Sequence, residues 1–174
     1  SSDLYGGFET AVEEVGWRLA ERGHQVIVFS RTPPGAQRLD AYRGMKVVNL
    51  PALKKRSLET LSHTTLSVFN KNMRGADAAI IFNAANSPLL PVIRARRIPV
   101  ATHVDGLEWR RTKWGRNGQR YYRCAESIAV RYSDALIADA QGIADYYRDE
   151  FNAATRLIAY GAPILTGAGS DRLV

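Results

Sequence analysis

Gly6 and Gly7 stand directly before a stretch of helical periodicity, and that pairing is suited to holding an anion. Adjacent glycines leave backbone N–H groups bare, and the helix that follows turns the positive end of its dipole toward whatever sits there. A phosphate is the usual occupant of such a junction. A second group of chemically capable residues runs from His103 through Asp105, Glu108, Trp109, Arg110 and Lys113 to Trp114. A histidine titrates near neutral pH and can move a proton, and a neighbouring carboxylate can accept one. The two tryptophans offer flat apolar faces on which a ring can stack, and they serve equally well to anchor a long loop. Asp105-Gly106 also reads as a turn, and Glu108 can pair with Arg110, Arg111 or Lys113 to shape the loop. Asp139 follows a later apolar run, where it either faces the same opening or caps the next helix; capping is the first reading.

These residues need a frame, and the rest of the chain supplies one. Phe8, Ala11, Val12, Val15 and Leu19 recur at helical spacing, with Glu9, Glu13, Glu14, Arg18 and Arg22 on the other face. Glu14 and Arg18 form an i,i+4 pair, and Gly23 closes the helix from the position where glycine is favoured. His24 precedes a strand, at the end away from the ligand side, and is read as structural; His63 falls inside a helix. Residues 25–30 (QVIVFS) read as a buried parallel strand and 45–50 (MKVVNL) as a second strand stopped by Pro51, separated by a loop over 31–43 that contains Pro33-Pro34-Gly35. A helix is expected over 58–73, with Leu58, Leu61, Thr65, Val68 and Phe69 on one side. Beyond it come a strand over 76–82, a helix over 87–97 with Pro88 in its first turn, and a strand over 98–102. A polar loop over 103–117 leads to a helix over 118–132, a strand over 134–138, a helix over 141–151 and a last strand over 154–159.

Strands alternating with helices across short turns imply βαβ units, and hence an α/β fold with a doubly wound parallel sheet of Rossmann-like form. Ligands of such sheets collect outside the carboxyl ends of the strands, which selects the loops 1–7, 83–87 and 103–117. Residues 1–4 are too short and polar for the strand that normally precedes a glycine turn of this kind, so a leading strand is expected outside the sequence. Residues 166–171 have the small, polar composition of a linker. One domain over 1–165 is therefore expected, with 166–174 opening a linker to a second domain.

The formal net charge of +7 points to phosphate-bearing partners such as nucleotides, nucleic acid or anionic lipid, or simply to a solvated basic face. Nucleic acid is disfavoured, because no helix-turn-helix, zinc or aromatic-platform signature occurs. A dinucleotide oxidoreductase is disfavoured too: Gly-x-Gly-x-x-Gly is missing, and Arg31 follows the strand 25–30 where that fold places an acid. No His, Cys or carboxylate cluster has metal-ligand spacing, so no metal is expected. A single cysteine, Cys124, makes an internal disulfide impossible and suits a reducing, cytoplasmic setting. No apolar run is long enough to read as a membrane-spanning helix.

The segments Tyr5-Gly6-Gly7-Phe8-Glu9-Thr10, Gly23-His24-Gln25-Val26, Asp105-Gly106-Leu107-Glu108-Trp109, Lys113-Trp114, Ala125-Glu126, Asp134-Ala135-Leu136-Ile137-Ala138-Asp139 and Ile158-Ala159-Tyr160-Gly161-Ala162 occur in order. Taken together they resemble the N-terminal domain of bacterial rhamnosyltransferase-like proteins in the family-four glycosyltransferase group. That resemblance implies the GT-B architecture, two Rossmann-type domains facing across a cleft, of which this chain is the acceptor-side half. It implies transfer of a sugar, rhamnose or another hexose, from a nucleotide-sugar donor to a saccharide or lipid-linked acceptor. The donor is a substrate; no cofactor is required. The partner domain supplies most donor contacts, so this half alone is expected to be inactive. The family's leading strand with its Gly-Thr-Arg-Gly type loop is not in this sequence.

By the same resemblance, Gly6 and Gly7 approach the donor diphosphate and His103 faces the transferred sugar. Asp105 contacts acceptor hydroxyls, or takes the acceptor's proton if configuration inverts. Glu108, Trp109, Arg110, Lys113, Trp114 and Asp139 belong to the acceptor side. Enzymes of bacterial polysaccharide assembly often work at the inner face of the membrane, where Lys54-Lys55-Arg56 and the group Arg94, Arg96 and Arg97 would meet lipid phosphate. The alternative reading is a Rossmann-type module that binds a nucleotide or another anion without transferring a sugar.

Overall fold

The computed structural model describes residues 7–31, 38–51, 59–104, 106 and 115–159. Its elements are α1 (Gly7–Glu21), β1 (Ile27–Arg31), β2 (Ala41–Tyr42), β3 (Met45–Leu50), α2 (Glu59–Phe69), β4 (Ala79–Phe82), α3 (Leu90–Ala95), β5 (Val100–His103), α4 (Arg116–Tyr132), β6 (Ala135–Ala138), α5 (Gln141–Phe151) and β7 (Arg156–Leu157). Short 3-10 segments at Lys71–Met73 and Ala84–Leu89 precede β4 and α3. Strands β4, β5, β6 and β7 pair in that order, all parallel, and helices flank them. The fold is α/β and Rossmann-like, as the alternation of elements requires.

A second sheet has the order β1-β3-β2, with β1 and β3 parallel and β2 antiparallel to β3. The antiparallel strand is a departure from the loop expected over 31–43. Its cause is local: Arg43 at φ 48 and Gly44 at φ 79 form the two-residue turn of a hairpin that pairs Tyr42 with Met45. Two successive positive φ values suit the right-handed twist of the strands on either side, and glycine accepts the second at no steric cost.

Helix α1 meets this sheet through Gly16, where an added Cβ would fall on Sδ of the buried Met45. Ala11 and Gly16 form its buried side, whereas Val15, expected on the apolar face, is 45% exposed. The guanidinium groups of Arg18 and Arg43 each lie over the Trp17 ring, 4.5 and 4.3 Å from its centre. The Tyr42 hydroxyl donates to Glu13 at 2.7 Å, so the hairpin is tied to the helix. The expected Glu14–Arg18 ion pair forms. At the helix end, His24 N–H donates to Leu19 C=O and Gly23 N–H to Ala20 C=O, with Gly23 at φ +87. That is the paired closure of a glycine-capped helix.

The core lies between the four-stranded sheet and its helices. Leu90 and Ile93 from α3, Val100 from β5, Val104, Ala129 from α4, Ala138 from β6 and Tyr147 from α5 are all at most 1% exposed. Val68 of α2 joins them, but Phe69, assigned to the same face by spacing, is 57% exposed. Phe69 ends α2, and the Arg96 guanidinium covers its ring at 5.1 Å. Asp134 fixes the amino ends of β5 and β6: it accepts the Val100 N–H at 2.9 Å and an Arg94 N–H at 2.7 Å. Those bonds, that of Val100 first, hold its carboxyl below the usual carboxylate range.

Candidate functional site

Strand register decides which side chains share a face at the carboxyl edge of the sheet. Phe82 of β4 aligns with His103 of β5, and His103 aligns with Ile137 of β6. Aligned residues of a parallel pair point the same way, and alternate residues return to that face. Asp139, two residues beyond Ile137, therefore comes back to the side occupied by His103. The bonds Asn83 N–H to His103 C=O at 3.1 Å and Val104 N–H to Ile137 C=O at 2.9 Å extend the ladder to this edge. The imidazole of His103 stacks on the Phe82 ring at 5.6 Å and is 4% exposed. Burial pushes its pKa down, and the charge of Asp139 pulls it partly back up. His103 is thus held neutral at physiological pH, in the form that can receive a proton.

A polar lattice braces the edge beside it. Asn83 takes φ 75, uncommon for a residue with a side chain, and its side-chain Oδ1 accepts the Ala85 N–H at 2.8 Å. The buried Asn86 donates to Phe82 C=O at 2.8 Å and accepts the Thr64 hydroxyl at 2.6 Å. From α4, the Tyr121 hydroxyl donates to Ala85 C=O at 2.6 Å, and burial pushes that phenol up to about 12. Helix α2, the end of β4 and α4 are thereby joined through one short segment. Thr64, Asn83, Asn86 and Tyr121 were not among the residues singled out from the sequence. The readable signal was an asparagine at each side of a small-residue turn after a strand, the pattern of side chains that bond nearby backbone.

Residues 98–163 match the model of a family described as a domain of unknown function, DUF1972. Within that stretch lie β5, α4, β6, α5 and β7, so it holds both His103 and Asp139. No curated protein matches the chain.

Of the residues expected to form the site, the fold brings His103 and Asp139 together on one edge. Gly7 is the first residue of α1. Asp139 does not cap α5: the N-cap position is Ala140, with no side-chain cap bond. Gly6, Asp105, Glu108, Trp109, Arg110, Lys113 and Trp114 lie outside the described residues. Gly106 is described; a Cβ there would meet Ile143 at 3.7 Å, so this point of the loop rests beside the first turn of α5. Among the described residues no group of three His, Cys, Asp or Glu side chains is placed to hold a metal ion. Among them, too, no helix is long and apolar enough to cross a membrane.

Glu126 has a different role. It is 2% exposed on the inner side of α4 and accepts the Tyr146 hydroxyl of α5 at 2.9 Å. Burial raises its pKa, against the opposing effects of that bond and of Arg123. Between the ordinary glutamate value and the raised one, the folded state holds more protons than the unfolded state. Stability therefore falls as pH rises through that interval. Glu126→Gln keeps the shape and an acceptor for Tyr146, so it should abolish this fall, leave stability below the interval unchanged and raise it at neutral pH. Thermal melts across the acid-to-neutral range measure the slope, and an unaltered slope would locate the titrating group elsewhere.

Proposed function

We propose that this chain is the acceptor-side half of a GT-B glycosyltransferase, moving a sugar from a nucleotide donor to a saccharide or lipid-linked acceptor. The observation that carries the reading is the shared edge of His103 and Asp139 beyond the ends of β5 and β6, where open α/β sheets bind their ligands. Its place within a matched domain found in glycosyltransferase-associated proteins supports the same reading. His103 faces the transferred sugar, and the charge of Asp139 tunes it. Asp105 contacts the acceptor, with Glu108, Trp109, Arg110, Lys113 and Trp114 in the same loop. Gly6 and Gly7 offer amides to the donor diphosphate at the start of α1, where charge grows as the nucleoside diphosphate departs. Transfer then depends on positioning and leaving-group stabilisation rather than on a metal.

Gly7→Val tests the phosphate role in the complete protein. A branched side chain at the helix mouth should keep the diphosphate from the amides and weaken donor binding about tenfold, the loss of ~1.4 kcal/mol. Titration with nucleoside diphosphates and nucleotide sugars measures it. Undiminished affinity would remove the glycine turn from the site. Tight donor binding with no transfer to any saccharide would favour the alternative, an anion-binding module without transferase activity.

A further inference from the structure

Arg94 and Arg96 are engaged within the fold, by Asp134 and by Val68 C=O, and Lys54-Lys55-Arg56 lie outside the described residues. The polar contacts that reach His103 come from the 84–89 segment and from α4 behind it. Ala85 is 6% exposed, and side chains grip both its N–H and its C=O. Asn83 Oδ1 accepts the N–H at 2.8 Å, and the Tyr121 hydroxyl donates to the C=O at 2.6 Å. Asn83 in turn donates its own N–H to His103 C=O at 3.1 Å. Three bonds therefore run in series from α4, through Ala85 and Asn83, to the backbone of His103. The same segment holds the stacked ring, since Asn86 donates to Phe82 C=O at 2.8 Å and Phe82 covers the imidazole. A residue at φ 75 keeps that conformation only where its surroundings over-determine it, and the two bonds of Asn83 do so.

We propose that Tyr121 and Asn83 are positioning residues for His103, a relay through which α4 fixes where the imidazole stands at the ligand edge. The loop that carries Asp105, Glu108 and Trp109 leaves β5 at His103 and enters α4 at Arg116. The relay thus ties the strand at one end of that loop to the helix at the other. Burial pushes the Tyr121 phenol up to about 12, so it remains a donor throughout the neutral range. Among the described residues, the charge acting on His103 is that of Asp139, at the end of β6, and the relay contributes no second charge. Its effect is on position and on access of water. A reacting group misplaced by about 1 Å can lose up to 10²-fold in rate, which gives a rigid relay a catalytic consequence. That consequence rests on the sugar-transfer reading; the control of the surroundings of His103 by Tyr121 does not.

Titration of the full chain by nuclear magnetic resonance tests the relay, with the His103 signal identified among the three histidines by its loss in His103→Ala. Tyr121→Phe removes one hydroxyl and keeps the ring. It should loosen the segment after β4, admit water beside His103 and raise its pKa toward the ordinary value of 6.5. Asn83→Gly accepts a positive φ but offers no Oδ1, and should give the same shift. The two changes together should give no more than either alone, because both cut one relay. Tyr146→Phe is the control: it removes a bond of the same kind between α5 and α4, to Glu126, and should leave His103 as in the parent. In the complete protein, Tyr121→Phe should lower kcat for sugar transfer about tenfold with KM little changed, and should add nothing to the loss in His103→Ala. An unshifted His103 in Tyr121→Phe, or equal shifts in Tyr121→Phe and Tyr146→Phe, would overturn the relay. A shifted His103 with transfer unchanged would confirm the relay and count against the proposed function.

Discussion

On the proposed function, His103→Ala in the complete protein should lower sugar transfer by roughly 10²-fold or more, the effect of losing one well-positioned proton-transfer group. The argument begins with burial. An imidazole 4% exposed and stacked on Phe82 is costly to charge, so its pKa is driven down, and at neutral pH it is the uncharged acceptor. Asp139 is the counterweight, since its charge favours the protonated form. Two readouts separate chemistry from packing. Loss of a proton-transfer group lowers kcat with little change in KM, whereas a disturbed pocket changes both. Asp139→Asn removes the counterweight, so the acid limb of the pH–rate profile should move to lower pH. Stability has its own sign: between the lowered folded value and the ordinary histidine value, the unfolded chain binds more protons. The benefit of a neutral His103 is therefore complete above that interval and eroded as pH falls through it. Turnover unaffected by His103→Ala would leave this edge as packing alone and take the chemistry out of the proposed function.

Much of this arrangement was legible in the residues. β3 and α5 have the limits that periodicity predicts, and Gly23 ends α1 with the backbone geometry its position implies. These elements carry strong local signals: a β-branched run, a helical apolar repeat, a glycine at a helix end. The misreadings share a cause, because burial depends on neighbours that spacing cannot name. Val15 and Phe69 sit at helical intervals from buried residues, yet each falls just beyond the covered stripe. β2 was missed because two residues make no periodic pattern, although Arg43-Gly44 before an apolar run held the turn signal. His103 and Asp139 were each suspected singly. Their shared face follows only from the register of β5 with β6, a non-local fact. Thr64 bonding Asn86, and Tyr121 bonding Ala85, join residues far apart in the chain and leave no trace in either segment.

Leu90→Ala should cost about 2–5 kcal/mol of unfolding free energy, the range for a leucine deleted from a close-packed interior. Leu90 is 0% exposed and opens α3 directly after the Ala84–Leu89 segment. The cost has two parts, lost apolar transfer and the cavity left where neighbours relax only partly. Relaxation is restricted here because the segment before Leu90 is already pinned by Asn86 to Phe82 and by Tyr121 to Ala85. A pinned backbone cannot close over a void, which places the expected loss toward the upper part of the range. Leu157, of the same chemistry but 51% exposed on β7, is the control, and Leu157→Ala should change stability by no more than about 0.5 kcal/mol. Urea unfolding of the two variants against the parent measures both. Equal losses would mean that the interior beneath the 84–89 segment is not the close-packed support of the His103 edge. A large loss at Leu90 alone ties that edge to the core, since the same helix start that fills the interior also ends the segment bracing His103.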